Sequence, residues 1–360
     1  MPYNHEKSGL SIFNKRRILW FLSSILSLFF TGLMIISIGW YKESQSIPKN
    51  HLIGNRASNV NRLKESGFPF SFLVIGDTQG RGKAKKLIET ALKEGDPSFM
   101  IILGDIVRKP DIWNHRFFLT EMTMEIKPPF PVFLVPGNHD IDYTSSKIRQ
   151  DERRVTPQVY ESLYAARNFD FIFNNCLFII GEVDSRDHTR YLNYLRDTLS
   201  KKGKDRKYIF VFTHTPPKGL AEFIPGFGYG EEFFSLLETY HATACFFGNF
   251  HGYWRGQKKG VNIIISGGGG GRLKKSSPEW VKFHHILKVN VDENIFSEEM
   301  MVLKGGIFFE DAFNEWIFTR LFPIIQNRGW ILYLVVILFS SLGIYSAFVF
   351  FFRGKGNGTN

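Results

Sequence analysis

Cysteine is nearly absent. The chain of 360 residues has two, Cys176 and Cys245, which excludes a disulfide framework and a cysteine-rich zinc site. Both stand in apolar runs, so two inert buried thiols are expected, with a single bridge between them as the alternative. Dense basic stretches are lacking as well. The net charge is +11, but the basic residues are scattered or flank hydrophobic segments, so no nucleic-acid partner is expected. The central body has no Asn-x-Ser/Thr acceptor; the chain's single one begins at Asn357. That absence favours a bacterial source over a glycosylating lumen. There are no internal repeats. The glycine run "SGGGGGR", 266–272, lacks the G-x-x-x-x-G-K spacing of a nucleotide loop. Close backbone packing or a flexible surface loop fits it better.

Charge is also missing from two long stretches, 18–40 and 330–352. At 1.5 Å per residue, the first reaches roughly 34 Å, enough to cross a bilayer. Trp40 and Trp330 stand at segment ends, where aromatic side chains favour the membrane interface. The first segment follows Lys15, Arg16 and Arg17, but it is long for a signal peptide and no A-x-A site follows it. An uncleaved anchor is therefore expected. Flanking positive charge, modestly biased, places both termini in the cytoplasm and the body outside it, with a bacterial inner membrane favoured. The expected organisation is a tail (1–17), a span (18–40), a linker (41–67), a domain (68–304), a juxtamembrane segment (305–329), a second span (330–352) and a tail (353–360).

The body alternates apolar runs with helical spacing. Strands are expected at 70–77, 98–105, 131–140, 169–173, 177–183, 208–214, 244–247 and 261–266, with a closing strand in "FHHILKVNVD". Helices fit 112–124, 159–166, 190–201 and 231–240, and an amphipathic one fits 310–326. Such alternation implies an α/β layered domain, with a mixed sheet or two packed sheets.

Polar residues gather where these strands end. "VIGDTQG", "ILGDIVR" and "VPGNHD" each close an apolar run, and "VFTHTPP" and "FFGNFHG" add imidazoles. Strand carboxyl ends line the ligand crevice of an α/β sheet, so Asp77, Asp105, Asn138, His139, His214, Asn249 and His251 are expected to converge. Carboxylate, amide and imidazole together suit Mn²⁺, Fe or Zn²⁺. A lone Gly-Asp is usually a turn, and a lone histidine usually a satisfied core or surface residue. The order of all five elements is the informative signal.

In that order the sequence resembles the calcineurin-like metallophosphoesterase family, over roughly 68–292. The resemblance implies a four-layer α/β/β/α sandwich with a dinuclear centre. Asp77 and His251 would bind the first metal, with Gln79 where the family usually has histidine. Asp105 would bridge. Asn138 and His214 would bind the second metal, with Asn249 replacing its remaining histidine. His139 would serve the phosphoryl group or the leaving group, and Asp140 would orient His139 or its loop, or cap a turn. Arg108 and His115 follow the second motif and are candidate phosphate contacts, against a solvated loop. Asp184 is a further candidate facing the crevice, and His188, His241, His284 and His285 are expected to be structural.

The implied reaction is hydrolysis of a phosphomonoester or phosphodiester by a metal-bound hydroxide, with two divalent cations, Mn²⁺ ahead of Fe or Zn²⁺. The expected substrate is a phosphoester, lipid-linked or soluble. Two other readings stand beside it. One is a non-catalytic membrane-tethered relative, suggested by Gln79 and Asn249; the intact remaining ligands favour an enzyme. The other is a lumenal phosphodiesterase that trims phosphoethanolamine from glycolipid anchors, disfavoured by the missing glycosylation acceptors.

Overall fold

A computed structural model describes residues 7–45, 51–80, 82–144, 153–183, 188–306 and 309–352. Asp184, residues 1–6 and the whole expected tail 353–360, Asn357 included, lie outside the described residues. The chain divides into two units, Ile47–Trp316 and the paired ends Met1–Ser46 with Ile317–Asn360.

The larger unit contains two mixed sheets. The first has the order β11-β10-β1-β2-β3, built from β1 (Phe70–Ile75), β2 (Phe99–Ile102), β3 (Val132–Leu134), β10 (His285–Val291) and β11 (Phe296–Val302). Strands β1, β2 and β3 run parallel, and β10 returns antiparallel to β1. The second has the order β4-β5-β6-β7-β9-β8. Its strands are β4 (Phe169–Phe173), β5 (Cys176–Gly181), β6 (Tyr208–Thr213), β7 (Ala244–Phe247), β8 (Tyr253–Lys258) and β9 (Val261–Ser266). Strands β8 and β11 were not expected. Their side chains alternate between half-buried and exposed, so they lack the continuous apolar runs that mark the central strands.

Phenylalanine fills the space between the sheets. Phe72, Phe99, Phe133, Phe171, Phe178, Phe210, Phe212 and Phe246 are buried in one cluster. Phe133 and Phe171 stack at 4.3 Å and Phe171 and Phe178 at 4.9 Å, offset or edge geometries that add to simple area burial. A second cluster joins β1 and β2 to α3 (Gly82–Ala91) and α5 (Pro157–Leu163) through Leu73, Ile75, Leu87, Ile88 and Tyr160. A third joins β5, β6 and β7 to α6 (His188–Lys202) and α7 (Gly230–Thr239) through Ile179, Val211, Leu195, Phe233 and Phe247. Cys176 and Cys245 are separate buried thiols.

The stretch read as a linker is partly ordered against the first sheet. Helix α2 (Arg56–Arg62) follows Ile53, which bridges Val132, and the Asn59 amide donates to the Val132 carbonyl. The stretch's few apolar residues also pack, Ile53 in the first sheet's outer core and Val60 and Leu63 against the cluster between the sheets. The expected helix at 112–124 divides into α4 (Ile112–Thr120) and a π-helical turn at Glu121–Ile126.

The smaller unit pairs α1 (Lys7–Ser44) with α9 (Phe322–Phe352). Trp20 meets Tyr345, Phe30 meets Phe339 and Tyr41 meets Phe322, an antiparallel register. Ser27 reaches the Phe339 carbonyl, and Gly343 lies against Ser27. The segment Ile18–Lys42 is long and apolar enough to cross a membrane. The C-terminal segment meets that criterion only if two helices broken near Arg328 count as one.

Candidate functional site

Each of the parallel strands β1, β2 and β3 ends in a glycine that lets a polar loop pass close to its neighbours. Gly104 takes φ +81°, and a Cβ there would lie 2.7 Å from His214 Nδ1 and 2.9 Å from Gly137 Cα. The loops that follow are strained. Asp77 (φ 56°), Gln79 (52°), Asp105 (51°), Asn249 (61°) and His251 (57°) all adopt the left-handed region. That region is uncommon for non-glycine residues, and such strain clusters at functional sites.

These loops bring together most of the residues expected from sequence. One ligand atom each from Asp77, Asp105 and His251 lies within 4.8 Å of the others. Asp77 is fully buried; its Oδ2 accepts from the Asn249 backbone N–H at 2.8 Å. Its Oδ1 has no hydrogen-bond partner, although His251 Nε2 is 3.2 Å away. His251 Nδ1 donates to the Arg272 carbonyl at 2.8 Å, so a neutral ring presents the Nε2 lone pair to that carboxylate oxygen. His214 repeats the arrangement. Its Nδ1 donates to the Leu103 carbonyl at 2.7 Å, and Nε2 faces Asn138 Oδ1 at 3.1 Å and Asp105 Oδ1 at 3.3 Å. With both rings neutral, Nε2 thus faces oxygen acceptors at both places, and Asp77 Oδ1 is left without a donor. A buried oxygen without a donor costs free energy, and divalent cations held by these atoms would remove the conflict. The donor set fits metal.

Electrostatics point the same way. Burial holds the Asp77 pKa above the usual carboxylate value despite His251 and His214. Burial would lower the His214 pKa, but Asp105 beside it outweighs this and raises it to about 10. Burial likewise opposes protonation of His251, and Asp77 outweighs it. Without a cation the imidazoles take up positive charge instead.

The glycine run packs against this centre. A Cβ on Gly267 would lie 2.7 Å from Asp77 Oδ2 and 2.8 Å from the His251 N. One on Gly271 would lie 3.2 Å from both Gln79 Cδ and His251 Cε1, so the Gln79 amide and the His251 ring flank the same glycine. His284 and His285 brace the run from behind. His284 Nδ1 donates to the Gly268 carbonyl, and His285 Nε2 meets Ser266 Oγ.

His139 is the histidine of this group with an open ring, its side chain 45% exposed. Its Nδ1 donates to the Arg108 carbonyl at 3.0 Å, and its backbone N–H donates to Asp105 Oδ1 at 2.9 Å. The expectation for His115 needs correction, whereas Asp140 takes the loop-holding role that was one of its expected alternatives. Asp140 is fully buried, and its carboxylate accepts from the backbone N–H groups of Val107 and Gly137, tying together the loops after β2 and β3. Burial, with Asp105 nearby, raises its pKa to about 7. His115 is fully buried too, with burial lowering its pKa to about 4. Its Nε2 donates to the Asp140 carbonyl and its Nδ1 accepts from the Tyr164 hydroxyl, so no ring nitrogen is left for a substrate. Its sequence position was a poor guide because α4 turns that face inward. Arg108 does reach the surface, where Nη1 donates to Glu315 Oε1 at 2.8 Å. The Asn249 amide contact and the Glu315 contact were missed by sequence, since neither a backbone donor nor a distant partner leaves a motif.

Comparison with known proteins follows this geometry. The family model described as calcineurin-like phosphoesterase matches residues 70–253. Among solved structures, a purple acid phosphatase from yellow lupin (Lupinus luteus) seeds superposes with a TM-score of 0.52 at 16% identity, covering 68% of this chain and 53% of that one. The chain therefore spans about half the length of that relative. GAP50, the anchor in the inner membrane complex of Plasmodium, gives a TM-score of 0.48 at 15% identity, covering 67% of this chain and 87% of that one. No curated protein matches the sequence.

Proposed function

We propose, from the premise that this chain belongs to the calcineurin-like phosphoesterase family, that it is a membrane-anchored, metal-dependent hydrolase of phosphomonoesters or phosphodiesters. The observation that carries this reading is the pair of imidazoles, His214 and His251, each with Nδ1 committed to a carbonyl and Nε2 facing carboxylate oxygen. Asp77, His251 and Gln79 would hold one cation, and Asn138, His214 and Asn249 the other, with Asp105 shared. When bound, the two cations supply Lewis-acid activation of water and neutralise charge on the phosphoryl oxygens. A centre with amides at both 79 and 249 is richer in oxygen than an all-histidine one, which favours Mn²⁺ over Zn²⁺.

The chain's own groups do the remaining work. His139, pinned through Nδ1 and with Nε2 4.0 Å from Asp105 Oδ2, would in its doubly protonated form donate through Nε2–H to the phosphoryl oxygen or to the departing oxygen. The Arg108 guanidinium, at the same rim, pairs with the phosphate. Asp140 and His115 hold the loops that carry these two residues. The three apolar clusters support a four-layer α/β/β/α sandwich. The α1–α9 pairing supports two spans, and the flanking positive charge supports cytoplasmic termini with the body outside.

The test is the purified full chain in detergent, assayed on an aryl phosphate with Mn²⁺. His139→Ala should abolish turnover and leave bound Mn²⁺ unchanged. Asp105→Asn should lose both. A parent chain that binds no Mn²⁺ would overturn the reading.

A further inference from the structure

The short helix α8 (Phe309–Trp316) has two faces. Asp311 and Glu315, four residues apart, lie on one. Phe309, Phe313 and Trp316 lie on the other, with their rings stacked in series at 6.5 and 6.3 Å. The acidic face meets the chain just after two of the loops that build the centre. The Asp311 carboxylate rests on the backbone of Gly82, the first residue of α3, so closely that a Cβ at Gly82 would collide with it. Helix α3 directly follows the loop that carries Asp77 and Gln79. One turn further on, Glu315 takes the Arg108 guanidinium at 2.8 Å, and Arg108 follows the loop that carries Asp105.

The second contact differs in kind from an ordinary surface ion pair. The Glu315 side chain is only 15% exposed, while Arg108 is 49% exposed. The carboxylate is thus the enclosed partner and the guanidinium the one that faces solvent. Arg108 is also the residue whose carbonyl receives His139 Nδ1. One residue therefore has its backbone on the candidate acid and its guanidinium on α8.

We infer that Glu315 is a positioning residue for substrate phosphate: it holds the Arg108 guanidinium at the rim beside His139. This rests on the reading of Arg108 as a phosphate contact. A long arginine released from a fixed partner must be ordered anew each time the anion binds. Losing Glu315 should therefore weaken phosphate binding and leave the chemical step nearly intact.

The test is a double-mutant cycle in the Mn²⁺-loaded full chain, with two readouts: KM and kcat on an aryl phosphate, and calorimetric affinity for inorganic phosphate. Glu315→Gln should raise KM and the phosphate dissociation constant about three- to tenfold, with kcat within about twofold. Glu315→Asp, one methylene short, should fall between it and the parent. Arg108→Ala should weaken phosphate at least as much, and adding Glu315→Gln to it should change nothing more. If Arg108→Ala weakens phosphate but both Glu315 variants bind it normally, this inference fails alone. If the two substitutions add independently, Glu315 acts elsewhere and the inference also fails. If Arg108→Ala leaves phosphate affinity unchanged, the substrate role of Arg108 fails and takes this inference with it.

Discussion

At the scale of single residues, the centre combines replaceable side chains with fixed backbone. Asn249 holds Asp77 through its backbone N–H, which any residue except proline would supply. Its side chain can therefore change without disturbing Asp77. Asn249→His should keep the fold and tighten the weaker of the two cation sites, read as Mn²⁺ retained after dialysis against a chelator. Unchanged retention would mean that side chain does not face the metal. Gly267 has no such latitude, since a Cβ would press on Asp77 Oδ2 and the His251 N. Gly267→Ala should lower Mn²⁺ affinity by tenfold or more, with a smaller change in Tm, because the collision is with a ligand and its loop.

At the scale of elements, the π-helical turn Glu121–Ile126 carries a buried carboxyl. Burial first, then Glu125 nearby, pushes Glu121 up to about 8 from an ordinary value of 4.5. The folded chain keeps that proton until about pH 8, whereas the unfolded chain releases it near 4.5. Between those values the folded state binds more protons, so this contribution to stability is complete at low pH and falls as pH rises through 8. Glu121→Gln should match the parent in Tm at pH 5 and exceed it by about 5 °C at pH 9. A constant difference across pH would show that Glu121 is ionised throughout. The turn itself was not legible in sequence, since 112–124 has the spacing of one continuous helix. The buried central strands were legible, because each is an unbroken apolar run closed by glycine and a polar residue. Strands β8 and β11 were not, because edge strands mix exposed polar residues with half-buried ones. His115 shows the same limit for the site: a histidine beside a motif says nothing of which way its helix face turns.

At the scale of the molecule, the two chain ends form one apolar unit and the residues between them another. The first apolar segment was legible from its length alone. The partnership of α1 with α9 was not, because serines such as Ser27 in an apolar run do not announce the carbonyl they will meet. The full chain should stay with membranes through alkaline carbonate extraction. A chain confined to residues 47–316 should leave them and still bind Mn²⁺. Release of the full chain by carbonate would argue that the paired ends do not span.

The five glycines beside the centre set what variation the protein can tolerate. Among Gly267 to Gly271, an added carbon would lie within 3.0 Å of a neighbouring atom at every position, against Asp77 and His251 at Gly267 and against backbone carbonyls at Gly268 to Gly271. The positions proposed to coordinate, 79 and 249, should exchange one donor for another and retune the preferred ion. The floor beneath them cannot gain a methyl without moving a neighbour: at Gly267 and Gly271 that neighbour is Asp77, Gln79 or His251, and at Gly268, Gly269 and Gly270 it is a backbone carbonyl, His285, Ile75 or Ala84. Mutational scanning across the chain should therefore find its least permissive block in a stretch with no side chains at all, while Gln79 and Asn249 accept substitutions that shift metal preference.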